Sequence, residues 1–239
     1  MSTDVLQGKL LYNDRMSEEW LYLLEDAPVF NRYDLKAISA LLAAPCGIGT
    51  VILRDTQHSF DPNETFHTLR TFHQTHRFFD YSLTRRCFSM IDGLSSYKVP
   101  FVNWHYVLCP LEKPENSTWL NPLAVYELRT IDGVCYAELM SGLVLELPVQ
   151  KRSFIGQAER ALYALAYLRR EYSLTLTYNG TPLDYLQLPY SPFLDHLKEQ
   201  SLLQGWRTNR GAFQQQYLTE AILRRRREAL GEPIDEEED

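Results

Sequence analysis

Leu123–Leu147, LAVYELRTIDGVCYAELMSGLVLEL, is the stretch from which the fold is read. Apolar residues concentrate in three short runs, Leu123–Arg129, Val134–Leu139 and Leu143–Leu147. Asp132-Gly133 and Ser141-Gly142 separate them, and such pairs supply the positive-φ residues that tight hairpins require. The pattern predicts an antiparallel β-meander, ended by Pro148. A helix follows, with Ser153 as its expected cap and Phe154, Ala158, Ala161, Leu162, Leu165 and Leu168 or Ala166 as its apolar stripe. Arg169 and Arg170 fall in its last turn, where cations complement the helix dipole.

Working upstream, Val99–Cys109 is rich in aromatic and β-branched residues and reads as β structure, followed by a polar, proline-containing loop at Glu112–Ser117. Asp61-Pro62-Asn63-Glu64 has the composition of a helix start. Phe66, Leu69, Phe72, His76 and Phe79 continue it at helical spacing, with Arg70 and Arg77 outward, running on into Arg85 and Arg86. Leu35–Ala44 reads equally as a helix or as a strand that turns at Pro45-Cys46-Gly47 and returns as Thr50–Arg54. Ser17–Glu25 reads as a short helix capped by Ser17.

Downstream, Ser173–Tyr178, Asn179-Gly180 and Leu183–Leu188 read as a further hairpin. Ser191-Pro192 opens a helix to about Leu203, and Gly211–Leu230 is a final helix closed by Gly231, before the acidic tail Glu236–Asp239. The expected fold class is α+β: an antiparallel β-meander core packed with helices, with helical additions at both ends. The expected divisions are an acidic N-terminal extension (1–34), an α+β core (35–190) and a C-terminal helical region with its acidic tail (191–239).

The 239 residues carry a net charge of −7, unevenly distributed. Residues 1–66 hold 5 Lys+Arg against 10 Asp+Glu, residues 67–170 hold 12 against 9, and residues 171–239 hold 7 against 12. The middle segment is therefore basic by three, between two arms each acidic by five. No run reaches the roughly 18 apolar residues of a membrane-spanning helix, and Met1–Lys9 lacks the pattern of a secretory signal. Cys46, Cys87, Cys109 and Cys135 form no tight pair, as expected of reduced thiols in a cytoplasmic protein.

Catalytic motifs are not found. Gly47-Ile48-Gly49-Thr50 lacks the lysine of a phosphate loop and the third glycine of a dinucleotide turn. His73-x-x-His76, with His67 nearby, allows two ligands on one helix face but no carboxylate or thiol follows at ligand spacing, so helix histidines are the better reading. The chain is expected to be no enzyme and to need no metal or cofactor. Arg224–Arg227 spans about one helical turn and forms a collar, with Glu220 and Glu228 placed for ion pairing.

Glu146-Leu147-Pro148, then Ser153-Phe154, Gln157 and Leu168-Arg169, resemble the end of the core of the ComK family of competence transcription factors. Trp119, the Ser96-Tyr97-Lys98-Val99-Pro100-Phe101 segment, and Arg85 and Arg86 shortly after Phe78-Phe79 extend the resemblance over residues 50–170 or so. Phe79–Thr84 stands where that family is glycine-rich, and contains no glycine. The resemblance implies a transcriptional activator in the control of competence that binds double-stranded AT-rich promoter DNA, largely through the minor groove, as a homo-oligomer. Arg77, Arg85, Arg86, Lys98, Lys151 and Arg152 would then contact phosphates or enter the groove. It also implies a proteolytic adaptor protein as partner, with Tyr185, Leu186, Leu188 and Pro189 as the counterpart of its recognition element. The alternative is a diverged relative acting through protein–protein contacts without direct DNA binding.

Overall fold

The computed structural model describes residues 6–114, 117–173 and 180–231. In chain order they form β1 (Leu10–Leu11), α1 (Glu18–Leu24), β2 (Ala40–Ala43), β3 (Thr50–Arg54), β4 (Gln57–Asp61), α2 (Thr65–Thr75), α3 (Tyr81–Ser89), β5 (Phe101–Val102), β6 (Val107–Pro110) and β7 (Trp119–Leu120). Then follow β8 (Val125–Ile131), β9 (Val134–Leu139), β10 (Val144–Leu147), α4 (Lys151–Tyr172), α5 (Pro192–Lys198) and α6 (Ala212–Leu230). The class is α+β, as the sequence predicts.

The meander is β8–β9–β10, antiparallel throughout. Asp132 and Gly133 both take positive φ, 50° and 83°, the left-handed pair that lets a two-residue hairpin follow the strand twist. Leu128, Cys135, Ala137, Leu139, Leu145 and Leu147 alternate onto the buried face. On the other face Arg129 pairs with Glu127 at 2.8 Å and Glu138 at 2.9 Å. β1 joins as a fourth strand, parallel to β10.

A second sheet has the order β4-β3-β2-β7-β6-β5. Of the two readings of Leu35–Ala44, the strand with a returning partner is the one formed: Leu41 pairs with Ile52 across the turn at Pro45–Gly47. Gly49 sits at φ 137°, and a Cβ there would lie 2.5 Å from the Asp61 carbonyl oxygen, so only glycine lets β3 close on β4.

Between the sheets runs α4. Every residue from Ala161 to Leu168 is buried, so this helix is enclosed on all sides, with more than the one apolar stripe the spacing suggests. It packs on β5, β6 and β8, and α5 and α6 contact it as well.

Several boundaries differ from expectation. Asp61 belongs to β4, and its carboxylate accepts from the Asn63 amide at 2.9 Å, so α2 starts at Thr65 rather than at the Asp-Pro pair. The helix stops at Thr75, because Arg77 takes φ 53° and turns the chain. Arg85 and Arg86 therefore lie on a separate helix, α3, capped by Asp80 through the Leu83 amide at 3.1 Å. Ser153 is the third residue of α4, not its cap, which is Gln150. Leu183–Leu188 is no strand: Pro182–Tyr185 forms a 3₁₀ turn, fastened by the Thr181 amide donating to Asp184 Oδ2 at 2.6 Å. Most of its expected partner, Ser173–Tyr178, lies outside the described residues, as does the acidic tail. The helix from Ser191 ends at Lys198, and a separate 3₁₀ turn, Ser201–Leu203, completes the span. The last helix ends where expected, with Gly231 left-handed at φ 64°.

One hydrophobic cluster extends from Leu6 to Phe213 and includes Leu11, Trp20, Leu23 and Phe30. The segment 1–34, expected as an extension, thus contributes to the same core as 35–190. Among the described residues, no helix is long and apolar enough to cross a membrane. Cys87, Cys109 and Cys135 are free and buried, and burial pushes the Cys87 and Cys109 thiols up to about 12.

Candidate functional site: an arginine-lined cleft

The break between α2 and α3 creates the site. The left-handed turn at Arg77 sends Phe78 and Phe79 inward and delivers Asp80 to the start of α3. α6 then docks across α3. Phe213 is fully buried, edge-on to Phe79 at 5.4 Å and tilted against Phe88 at 5.3 Å. The Asp80 amide donates to the Tyr217 hydroxyl at 2.9 Å, fixing one helix over the other.

From Tyr217, helical spacing brings Glu220, Arg224 and Arg227 onto the same face. Arg224 pairs with Asp80 at 3.3 Å and with Glu228 at 3.2 Å, and Arg86 approaches Glu220 at 3.8 Å. The four-arginine run is thereby divided: Arg224 and Arg227 face the cleft, while Arg225 and Arg226 are exposed to solvent. Although burial opposes its charge, hydrogen bonds from Ser82 and the Leu83 amide, with the Arg224 charge, hold the Asp80 carboxyl below its usual range.

The cleft encloses about 310 Å³. Arg70, Arg77, Arg85, Arg86, Arg224 and Arg227 line it against only two carboxylates, Asp80 and Glu220. A protein of charge −7 thus holds a local excess of four positive charges here, 6 − 2. Arg70 and Arg77 are exposed and have no carboxylate within 4 Å among the described residues.

Below the arginines the wall is aromatic. Tyr81 stacks on Phe101 at 4.2 Å, and Phe66 lies 5.4 Å from Tyr81. His73 stands edge-on to Phe101 at 4.6 Å, is only 4% exposed, and its Nε2 has no hydrogen-bond partner. Burial, aided by neighbouring His76, pushes the His73 imidazole down to about 3, so it is neutral near pH 7. His76 faces elsewhere, its Nε2 2.7 Å from the Arg32 carbonyl oxygen. No group of three metal-ligating side chains occurs among the described residues.

The chain matches no family model, no curated protein and no solved structure. The reading of its function therefore rests on its own residues.

The six basic residues singled out in the sequence do not share one surface. Arg77, Arg85 and Arg86 meet in the cleft. Lys98 and Arg152 line a separate shallow hollow at the start of α4. There Lys98, left-handed at φ 55°, donates to the Leu111 carbonyl, and burial lowers its amine. Lys151 donates to the Leu128 carbonyl at 3.1 Å, tying α4 to β8. Arg169, in the last turn of α4, clasps three carbonyls, those of Trp104 (2.9 Å), His105 (2.9 Å) and Tyr185 (3.1 Å). Of Tyr185, Leu186, Leu188 and Pro189, only Pro189 is exposed, and Leu186 is buried. Spacing alone missed the cleft's other half. Arg224 and Arg227 read as part of a solvated collar, and the carboxylates noted beside them, Glu220 and Glu228, belong to the same network.

Proposed function

We propose that this chain is a ComK-like regulator that binds AT-rich promoter DNA in the cytoplasm, with the arginine-lined cleft as its main contact. The observation that carries the reading is the convergence of six arginines from α2, α3, α6 and the turn at Arg77, against two carboxylates already engaged within the fold. Such a surface attracts a phosphate backbone in spite of the acidic remainder of the chain. Arginine is also the side chain best suited to a narrow A·T minor groove. Arg152, exposed at the start of α4, is a further basic contact that a homo-oligomer would present repeatedly along a duplex, whereas the Lys98 amine is used within the fold.

Binding to an AT-rich duplex is expected to weaken steeply with salt, because each neutralised phosphate releases counterions. Arg77→Ala with Arg85→Ala should lower the slope of log affinity against log salt by about 1 per lost contact, whereas Lys151→Ala, whose amine is used within the fold, should change it little. A protein that ignores AT-rich duplex at low salt would rule the reading out.

The second reading, action through protein contacts, is favoured by α6, whose outer face leaves Leu218, Ile222 and Leu230 exposed. Retention of partners by the Arg77→Ala, Arg85→Ala protein, together with no DNA retention by the unaltered chain, would support it. These substitutions are preferable to deleting residues 67–100, which would remove the buried Leu69, Phe72, Cys87 and Phe88.

A further inference from the structure

A duplex backbone and a run of carboxylates make the same demand on the arginines of the cleft, and this chain carries such a run. Residues 232–239, EPIDEEED, follow α6 and lie outside the described residues; they hold six carboxylates and no cation. The cleft beside the end of α6 has the opposite charge, six guanidiniums against two carboxylates. Its surface is open to such a segment. Arg70, Gln74, Arg77 and Ser82 are exposed on the α2 and α3 walls, and on α6 the lining residue Leu223 is 41% exposed. Arg70 and Arg77 have no carboxylate within 4 Å among the described residues, so a further acid would find them uncompensated.

The end of α6 favours the encounter. Six carboxylates follow its C-terminal pole, where the helix dipole disfavours negative charge. Gly231, left-handed at φ 64°, turns the backbone off the helix axis, and Pro233 brings no amide to prolong the helix. Arg224 lies roughly 10 Å before Gly231 along the axis, at about 1.5 Å per residue. The eight residues beyond Gly231 can span roughly 26 Å, enough to return past it. We infer that the cleft docks this chain's own residues 232–239, their carboxylates against its guanidiniums and Ile234 against Leu223. The contact itself needs no nucleic acid; its effect on DNA rests on the promoter reading. A tethered segment acts at an effective concentration on the order of millimolar and competes with phosphates for the same arginines, so a duplex must displace it to bind.

The test is calorimetric titration of the full-length chain with an N-acetylated peptide of residues 231–239, raised to the millimolar range in about 0.15 M salt. The unaltered chain is compared with one whose tail is neutralised in place by Asp235→Asn, Glu236→Gln, Glu237→Gln, Glu238→Gln and Asp239→Asn. The peptide is expected to bind the neutralised chain about ten-fold or more tighter than the unaltered one, whose own tail occupies the cleft. In the neutralised chain, Arg70→Glu with Arg77→Glu, both on exposed positions, should abolish binding. Arg225→Glu with Arg226→Glu makes the same change of charge outside the cleft and should leave affinity within about two-fold, because salt screens distant charges. Equal binding to both chains, or none to either, would overturn the inference, and so would equal sensitivity to the two arginine pairs. Masking that disappears as the protein is diluted would do the same, by assigning the cleft to the tail of a second copy. Duplex is absent from the titration, so a positive result stands if the promoter reading fails, and a negative one leaves that reading untouched.

Discussion

His73 shows how a single side chain changes chemistry with its surroundings. In the unfolded chain an imidazole titrates near 6.5, and in the fold burial lowers it to about 3. Below pH 6.5 the unfolded chain therefore binds a proton that the native state refuses. The stabilising contribution is complete above that pH and is lost as the pH falls towards 3. Between pH 6.5 and 5 the loss amounts to about 2 kcal/mol, at about 1.4 kcal/mol per unit. His58, also lowered by burial, acts in the same direction. Urea denaturation at pH 7 and pH 5 should show a smaller fall in stability for His73→Leu than for the unaltered chain. An equal fall would mean that His73 titrates near its usual value in the fold. The i, i+3 spacing makes both His73 and His76 visible on one helix, but not which of them is buried. That is decided by Phe101, a residue of the other sheet edge, packing on His73, and by the Arg32 carbonyl waiting for His76.

Among the elements, α6 matters most to the cleft, since it supplies Arg224 and Arg227 while resting on few buried groups. Phe213 is the residue of α6 that is wholly buried. Phe213→Ala is expected to cost about 3–5 kcal/mol, read as a lower urea midpoint, and to weaken any anion held in the cleft. A variant that keeps full stability would show that α6 is held by its polar contacts instead. Elements announced by local chemistry were legible: the meander through Asp132-Gly133 and Ser141-Gly142, α4 through its long apolar stripe, α6 through Gly231. Elements decided by distant partners were not. β4 exists because Gln57–Asp61 pairs with Thr50–Arg54, and that pairing takes Asp61 away from the helix start its proline suggests. Leu183–Leu188 alternates well enough for a strand, yet Arg169 holds the Tyr185 carbonyl and Leu186 is drawn into the core, so a turn forms instead.

For the molecule as a whole, counting charge by segment located a basic middle but assigned its members imperfectly. Arg224 and Arg227 belong to the stretch that is acidic by five, and folding moves them beside Arg85 and Arg86 while Lys151 turns away to Leu128. Linear charge density and surface potential differ whenever the chain doubles back. The proposed divisions meet the same limit, since Leu11, Trp20, Leu23 and Phe30 share a core with Phe213. Removal of residues 1–34 is therefore expected to abolish the cooperative thermal transition followed by circular dichroism, because it strips apolar partners from both sheets. A sharp transition in the shortened chain would show that segment to be an appendage after all. The parallel pairing of Leu10 with Val144 has a further consequence for biosynthesis. β1 must wait, while the ribosome works through every element from α1 to β9, for the strand beside which it will lie. Nascent chains halted before β10 should leave β1 open to protease, and chains carried past α4 should protect it.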